Sequence, residues 1–397
     1  MSDIVRESTS VSWLGRLKRS LGGFVAGLVL VLAMVVLLFW NEGRAVTTAR
    51  SLTEGAGIVV SVEAGRVEPA NEGALIHVAG DMTSATVPSD DGFAVSAPGI
   101  RLVRTVEMYQ WKETARSETK TRLGGGEETV TTYSYAKEWD SRPIESGDFR
   151  QPAGHANPPM EISSRTVQVP EARLGGFVLG APVLDRVGGA VPLPVPAERR
   201  DPIDAAYDGT QRVSVVDGRI YLGWNPASPS VGDYRISYQA VPLGAVSIVG
   251  RQTGHTLAPY QTEAGSRLLM VERGSVPPAQ MFAQAQSANV AVTWVLRIAG
   301  LVVLAIAFAL VLGPLGVLAD VVPVFGSLVR LGTGLVGTVL AIMVGATAIA
   351  LAWFWYRPLL SFGILAGAAL LTILLTLYGR SRKAGPESAR PAATAGT

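Results

Sequence analysis

The residues that could do chemistry are few and lie far apart along the chain. His77, His155 and His255 show no HxxH or HExxH spacing and do not indicate a metal site. The chain has no cysteine, which excludes disulfides, thiol nucleophiles and thiolate ligands. It also lacks a G-x-S-x-G elbow and a glycine-lysine phosphate loop. We predict no catalytic, cofactor-binding or metal site, and we expect the protein not to be an enzyme.

Two arginines in apolar surroundings are the next candidates. Arg297 and Arg357 could be selectivity or gating charges, which would make the chain a channel or transporter subunit. The favoured prediction is structural: Arg297 extends towards the membrane interface beside Trp294, and Arg357 contacts lipid headgroups from a tight turn. The first, third and fourth apolar segments contain no Asp, Glu, Lys or His, which an ion-coupled carrier is expected to have.

The elements that must position these residues are mainly apolar helices. Hydrophobic residues make up 48% of the 397 residues and charged residues 17%, and the mean hydropathy is +0.31. Most of the excess lies in four segments, each long enough to cross a bilayer. We therefore predict an α-helical integral membrane protein of four spans, with a large β-rich extracytoplasmic domain inserted between spans one and two. The predicted boundaries are 1–20 (basic cytoplasmic N-terminus), 21–40 (span one), 41–289 (β-rich domain), 290–314 (span two), 315–331 (cytoplasmic amphipathic segment), 332–355 (span three), 359–378 (span four) and 379–397 (basic, disordered cytoplasmic tail).

Two of these boundaries leave alternatives open. Span two can be read as 290–312, which includes Arg297, or as 298–319, which includes Gly313 and Pro314; we place its helix at about 294–314. Apolar residues recur at helical spacing in 315–331, which indicates an amphipathic helix at the membrane surface, and a plain loop is the alternative.

Charge predicts the orientation. Both flanks are basic, with Arg6, Arg16, Lys18 and Arg19 before span one and Arg380, Arg382, Lys383 and Arg390 after span four. Four spans put both termini on one side, and the positive-inside rule assigns that side to the cytoplasm. The sparing use of lysine, five of 34 basic residues, indicates a GC-rich bacterial gene, and in a bacterium residues 41–289 would be periplasmic.

The end of span one and the small residues in the spans are candidate structural or interaction sites. After Trp40, we expect Asn41 and Gly43 to end the helix and Glu42 to pair with Arg44 at the interface. Helix packing is indicated by Gly23 and Gly27 in span one and by Gly363 and Gly367 in span four, either within one chain or between copies. Tyr356, Arg357 and Pro358 are predicted to form a tight extracytoplasmic turn between spans three and four.

The central region is predicted to be mostly β. Residues 107–139 have two aromatic and β-branched arms around Gly124–Gly126, which is typical of a long hairpin. Residues 212–223 form a second hairpin around Asp217 and Gly218, and 233–240 alternates as a strand.

An ordered set of short motifs extends from about residue 35 to 380. The set comprises WNEGRAVTTARSL after span one, VEMYQWKET at 106–114, YSYAKEW at 133–139, GHANP at 154–158, PVFGSLVRLG at 323–332 and WFWYRPL at 353–359. Together they resemble the transmembrane protein 43 family, also called LUMA. The resemblance implies one N-terminal span, a large lumenal domain and three C-terminal spans. It also implies the endoplasmic reticulum and inner nuclear membrane as location, self-association, and binding to emerin and lamins in eukaryotes.

From these observations we predict a membrane scaffold that oligomerises and organises membrane protein complexes. The expected partners are the lipid bilayer, further copies of the chain and other membrane proteins. Nucleic acid is not expected, because the net charge is only +2 and no basic cluster is interleaved with aromatic residues. In a bacterium the cytoplasmic membrane replaces the nuclear location, and emerin and lamins do not transfer.

Overall fold

The computed structural model describes residues 4–321 and 323–359, together with 361–363, 366, 370 and 374. These residues form a bundle of long helices and a β-rich domain. Three of the described helices contain stretches long and apolar enough to cross a membrane, within Trp13–Ile58, Pro278–Ala319 and Leu328–Tyr356. The helices are α1 (Trp13–Ile58), α2 (Ala181–Leu184), α3 (Arg200–Ala206), α4 (Pro278–Ala319) and α5 (Pro323–Tyr356).

The domain contains two large β-sheets whose strands are mostly antiparallel. One has the order β1-β7-β6-β14-β13-β12, with β11 on β14 and β8 on β6; the other has the order β19-β15-β16-β10-β9-β3-β2, with β15 also paired to β3. The strands are β1 (Ile4–Val11), β2 (Val60–Glu63), β3 (Leu75–Thr83), β4 (Ser89–Asp90), β5 (Val95–Ser96), β6 (Arg101–Thr121), β7 (Glu127–Asp140), β8 (Arg165–Gln168), β9 (Ala172–Leu174), β10 (Phe177–Leu179), β11 (Val191–Leu193), β12 (Val213–Val216), β13 (Arg219–Leu222), β14 (Tyr234–Val241), β15 (Ala245–Thr253), β16 (Thr256–Ala258), β17 (Tyr260–Gln261), β18 (Arg267–Leu268) and β19 (Met270–Arg273).

Both predicted hairpins are confirmed. Strands β6 and β7 pair from Met108 with Asp140 to Thr121 with Glu127, and Gly124 and Gly125 adopt positive φ in the turn. Strands β12 and β13 are joined through Asp217 and Gly218, whose φ angles of 51° and 70° are those of a type I′ turn. The predicted strand at 233–240 is β14.

The first helix is much longer than the predicted span. Residues 21–40 lie inside α1, which runs without interruption to Ile58, so Asn41 and Gly43 do not end the helix. After α1 the β structure therefore resumes at Val60 and not at residue 41, and α4 begins at Pro278, before residue 289. The sequence suggested an exit from the membrane because polar residues follow Trp40. They continue the helix because their side chains find partners on α4.

The N-terminal segment is a strand and not a simple basic flank. β1 pairs antiparallel with β7 from Ile4 opposite Ser134 to Val11 opposite Glu127. Ser12 then caps α1, accepting a hydrogen bond from the Gly15 amide at 3.3 Å. The chain therefore reverses direction at Ser12. Strand β1 runs along the hairpin, with Val11 near the hairpin tip and Ile4 nearer the domain.

Among the described residues between α4 and α5, Asp320 and Val321 form a turn. Helix α4 continues through Pro314 to Ala319, and α5 starts at Pro323. The predicted separate segment at 315–331, whether amphipathic helix or loop, is therefore wrong. Span two lies inside a helix that begins in the domain at Pro278.

The domain packs on the ends of α1 and α4. A hydrophobic cluster joins Leu52 of α1, Leu268 of β18 and Phe282 of α4, together with Leu75, Val249 and Met281. Gly55 of α1 lies so close to this cluster that a Cβ would be 2.5 Å from Leu268 Cδ1. We call this the domain end of the bundle. The distal end holds Trp13 and the turn at Asp320.

The β6–β7 hairpin reaches from the domain to the distal end. At its tip, the Gly124 amide donates to the Val321 carbonyl at 3.3 Å, and Trp13 of α1 lies against Gly125. The lengths agree, because the 21 residues of β6 span about 70 Å and the 46 residues of α1 about 69 Å. The outer part of this sheet, formed by residues 4–11, 113–121 and 127–134, runs beside the helices, and we call it the ribbon.

Candidate functional site

A buried ion pair lies at the domain end of the bundle. Arg297 of α4 donates to both carboxylate oxygens of Glu42 on α1, at 2.6 and 2.8 Å, and the Trp353 indole of α5 donates to Glu42 at 2.8 Å. The Arg297 guanidinium also stacks on Trp294 at 4.8 Å. The Glu42 side chain is 2% exposed and that of Arg297 14%. One carboxylate therefore connects all three helices.

A second set of polar contacts continues this site by one helical turn. Arg44 donates to Asn289 Oδ1 at 3.1 Å and to Thr293 Oγ1 at 2.9 Å. Asn41, fully buried, donates to the Thr293 carbonyl at 3.2 Å and accepts from Arg44. We call these residues the Glu42 cluster: Asn41, Glu42, Arg44, Asn289, Thr293, Arg297 and Trp353. Its polar groups are satisfied within the helices, as burial requires.

The predicted pairing of Glu42 is wrong, and the prediction for Arg297 lacked its partner. Glu42 does not pair with Arg44, because the two side chains have separate partners on α4. Arg297 does lie beside Trp294, and its guanidinium pairs with Glu42 inside the bundle. The Glu42 carboxylate supplies the opposite charge without which a buried guanidinium would be strongly destabilising. The ion pair also leaves Arg297 without the free charge that a pathway residue needs.

The other candidates near Trp40 have structural roles. A Cβ on Gly43 would lie 2.6 Å from the Tyr356 ring, so the missing side chain of glycine permits the close approach of α1 and α5 here. Tyr356 also contacts Phe39, with ring centroids 5.4 Å apart, and its carbonyl accepts from Arg50 at 3.1 Å. Trp40 is 57% exposed and faces away from the bundle.

The glycine pair of span one packs within the chain. A Cβ on Gly27 would lie 2.7 Å from the Ala307 carbonyl oxygen of α4, and one on Gly23 would be in ordinary contact with Leu310. This face of α1 is thus occupied by α4 and is not available to a second copy. Gly363 has no neighbour within 4 Å among the described residues. Gly367 lies outside the described residues, as does most of span four.

Helix α5 ends where the sequence predicts. Its last residue is Tyr356, and the Arg357 amide donates to the Trp353 carbonyl at 2.8 Å. Pro358 begins a new helical stretch, with the Ser361 amide bonded to the Arg357 carbonyl at 3.1 Å. Arg357 lines a cleft of about 190 Å³ that also contains Glu42, Trp353 and Arg297. The antiparallel course of 359–378 is a prediction about residues that mostly lie outside the described set.

A second buried charge lies at the distal end. The Asp320 side chain is fully buried and accepts from Arg16 at 2.6 Å and from Arg330 at 2.5 Å. Arg16 also lies 3.3 Å from Glu127 of the hairpin and donates to the Gly125 carbonyl at 2.7 Å. Asp320 Oδ1 has no hydrogen-bond partner among the described residues. The Asp320 cluster (Arg16, Glu127, Asp320, Arg330) therefore fastens the hairpin tip to the bundle.

The family-like motifs at the base of the ribbon meet in one place. Asn157 accepts from the Trp111 amide at 2.7 Å and donates to the Trp111 carbonyl at 2.9 Å, so it satisfies the edge of β6 there. Fully buried Gln110 bonds the Arg142 carbonyl and the Ile144 amide. His155 stacks on Tyr135 at 4.1 Å. These contacts fix the direction in which the ribbon leaves the domain.

The ribbon itself is strongly polar. The face of the ribbon that includes Val11 and Glu127 points towards α1. The opposite face includes Arg6, Arg116, Glu118, Lys120 and Glu128. Each cation in the bilayer interior costs about 2.5–3.5 kcal/mol, and each unpaired backbone group in hydrocarbon costs several kcal/mol more. The apolar helices and this polar ribbon extend side by side from the domain to the distal end.

Sequence reasoning missed Asn289, Thr293, Trp353 and the whole Asp320 cluster. One signal was available: Asn289, Thr293 and Arg297 recur every four residues and therefore share one face of α4. The partners on α1 lie about 250 residues earlier in the chain, as in the Asn41–Thr293 bond with a separation of 252. No local pattern identifies such pairs.

Comparisons with known proteins agree with the motifs. Residues 108–358 match the family model described as Transmembrane protein 43. The protein of that name from Rattus norvegicus is 35% identical over 376 residues, covering 91% of each chain, and that from Homo sapiens is 34% identical over 384 residues, covering 94% and 93%. The Transmembrane protein 43 homolog of Drosophila melanogaster is 29% identical over 280 residues, covering 69% and 72%. No solved structure matches this chain.

Proposed function

We propose that this chain, which belongs to the transmembrane protein 43 family, is a non-enzymatic membrane scaffold that self-associates and holds other membrane proteins through its β-rich domain. One observation carries the proposal. The domain is mounted rigidly on the membrane helices, because α1 and α4 both continue into it and share a hydrophobic cluster with it. A rigid mount keeps a protein-binding surface at a fixed height above the bilayer.

The charges of the bundle support a structural role. Glu42 and Arg297 neutralise each other, so the pair presents no net charge to a permeating ion, and loss of either partner would leave a buried charge unpaired. The three histidines each bond a backbone carbonyl, of Val276, Gln151 and Gly176. Such contacts give these rings packing roles and support the view that the chain is not an enzyme.

The proposed orientation puts the distal end in the cytoplasm. Lys18 and Arg19 are exposed there, and Arg16 and Arg330 lie close by. Basic residues at one end of a bundle favour the cytoplasmic side. The β-rich domain would then lie in the periplasm or in the lumen of the endoplasmic reticulum.

Crosslinking in native membranes, followed by size analysis in mild detergent, tests the scaffold. We expect assemblies larger than one chain and covalent links to other membrane proteins. Gly55→Val should displace Leu268 and loosen the mount, so partner links should decrease, whereas Gly57→Val, with no neighbour within 4 Å, should retain them. A monomer without crosslinked partners would contradict the proposal.

A measurement of ion flux distinguishes the scaffold from the channel alternative. Purified protein in sealed liposomes should conduct ions no faster than empty liposomes if the chain is a scaffold. A flux that depends on Arg357 or Arg297, with Arg330→Ala as the control outside the Glu42 cluster, would favour the channel. Labelling of a serine within residues 41–289 by an activity probe would instead indicate a hydrolase.

A further inference from the structure

The ribbon has two unpaired edges. Strand β1 ends its sheet, so one of its edges has no strand partner among the described residues. Strand β6 is covered by β14 only up to Met108. Beyond it, Tyr109 bonds Asp233 and Gly232, and Asn157 covers Trp111. From Glu113 to Thr121 that edge is open within the described part of the chain.

The surroundings of the ribbon argue against exposure to lipid. The helices beside it expose large apolar side chains, including Val25, Leu32 and Val36 of α1 and Ile298 of α4. Those side chains suit hydrocarbon, whereas the ribbon consists mainly of Ser, Thr, Glu, Arg and Lys. Only closed sheets are tolerated at membrane depth, because an open edge leaves amides and carbonyls unbonded.

We infer that the ribbon is completed by further copies of this chain, with β1 of one copy paired to residues 113–121 of β6 in the next. The inference rests on the proposed self-association and identifies the two strand edges through which the copies would associate. Both edges have the right direction: β1 and β6 are each antiparallel to β7 and are therefore parallel to each other. Copies related by rotation about the membrane normal keep that direction, so the pairing repeats around a ring until it closes.

In a ring of this kind, the two faces of the ribbon have different surroundings. Val11 and Glu127 mark the face that points to the helices, so all bundles lie on the outside, against lipid. The charged face with Arg116, Glu118 and Lys120 points inward, into water. Two copies joined through β1 and β1 would instead place their bundles on opposite faces of the sheet and would leave the β6 edge of each copy unpaired.

Charge indicates the register. Without stagger, Arg6 of one copy would lie beside Arg116 of the next, because both are opposite Thr132 in the ribbon. A shift of two residues towards the tip puts Arg6 beside Glu118 and Ser8 beside Lys120. Opposite charges on neighbouring strands stabilise the pairing, whereas like charges destabilise it.

The cysteine-free chain allows a direct test by disulfide crosslinking in membranes. Ser8→Cys is combined in turn with Thr114→Cys, Arg116→Cys, Glu118→Cys and Lys120→Cys. Within one chain these positions are separated from Ser8 by β7, so their Cα atoms lie at least about 9.5 Å from that of Ser8, beyond the 7 Å reach of a disulfide. We expect a ladder of covalent oligomers, strongest with Lys120→Cys. A maximum at another of the four positions supports the pairing and corrects its register.

Two controls distinguish this inference from the proposed function. Ser8→Cys with Trp224→Cys, a domain residue that is 79% exposed, should give no ladder. Leu123→Cys at the tip should react with an impermeant maleimide from the side of the membrane opposite to Trp224→Cys. Large native assemblies with no β1–β6 ladder, or a tip labelled from the domain side, would overturn the inference and leave the scaffold intact. Monomers in the size analysis would contradict both this inference and the proposed self-association.

Discussion

The two ends of the helix bundle both bury a carboxylate, but they use it differently. At the domain end, Glu42 has three hydrogen bonds from two residues, and every partner belongs to the bundle. At the distal end, Asp320 is shared by Arg16 and by half-exposed Arg330, and Arg16 also contacts the hairpin. The first cluster holds helices together, and the second holds two separable parts in contact. Removal of either carboxylate should therefore have different consequences.

The largest effect is expected for Glu42→Ala. The change leaves Arg297 buried without a counter-charge, which costs about 3–5 kcal/mol. We expect a large decrease in the thermal stability of the detergent-solubilised protein, measured by unfolding of the helices. Glu63→Ala, which removes an exposed carboxylate, should have almost no effect.

A double variant sharpens this prediction. Glu42→Leu combined with Arg297→Met removes both charges and should be more stable than either single variant. Additive losses would show that the ion pair does not hold the bundle in the way we describe.

Asp320→Ala should cost less, about 1–3 kcal/mol. Arg16 keeps Glu127 and the Gly125 carbonyl, and Arg330 can reach water. The expected result is local: faster amide hydrogen exchange in β1 and around Gly124, with unchanged protection near Glu42. A uniform increase along α1 and α4 would remove the distinction between the two ends.

The sequence predicts the β-rich domain better than it predicts these clusters. Hairpin β12–β13 was found because Asp217 and Gly218 form a local turn, and β14 because its side chains alternate. Strand β1 was not predicted, because its Ser, Thr, Arg and Glu residues show no hydrophobic alternation. Its partner strand is also far away in the sequence: Ser8 and the Glu128 to which it donates are separated by 120 residues. The length of α1 was missed for a related reason. Asn41 and Glu42 resemble a membrane exit until Thr293 and Arg297 are known to face them.

A smaller effect is expected for Gly43→Ala. Its methyl group would collide with the Tyr356 ring, and such overpacking costs about 1–3 kcal/mol, partly offset by about 0.5–1 kcal/mol of better helix propensity. Gly22→Ala, also in α1 but with no neighbour within 4 Å, should be neutral or slightly stabilising. Equal melting temperatures for the two variants would contradict the close approach at the domain end.

The smallest effect concerns pH and should appear only at the domain end. Burial lowers the pKa of His77, opposed by its hydrogen bond to the Val276 carbonyl beside α4. The folded state favours the neutral ring, so stability is complete above about pH 6.5 and decreases as the pH falls below it. His77→Gln should weaken that dependence in domain unfolding. The exchange of distal amides should not respond to the substitution.

The pairing of β1 with β7 also has a consequence for biosynthesis. Translation proceeds at about 5–20 residues per second, so Ile4–Val11 leaves the ribosome several seconds before its partner Glu127 exists. Helix α1 can enter the bilayer in that interval, whereas β1 must wait without a partner. Its serine, threonine and charged side chains keep it soluble and resistant to aggregation during the delay. Docking of β1 therefore cannot begin until the β6–β7 hairpin has been made.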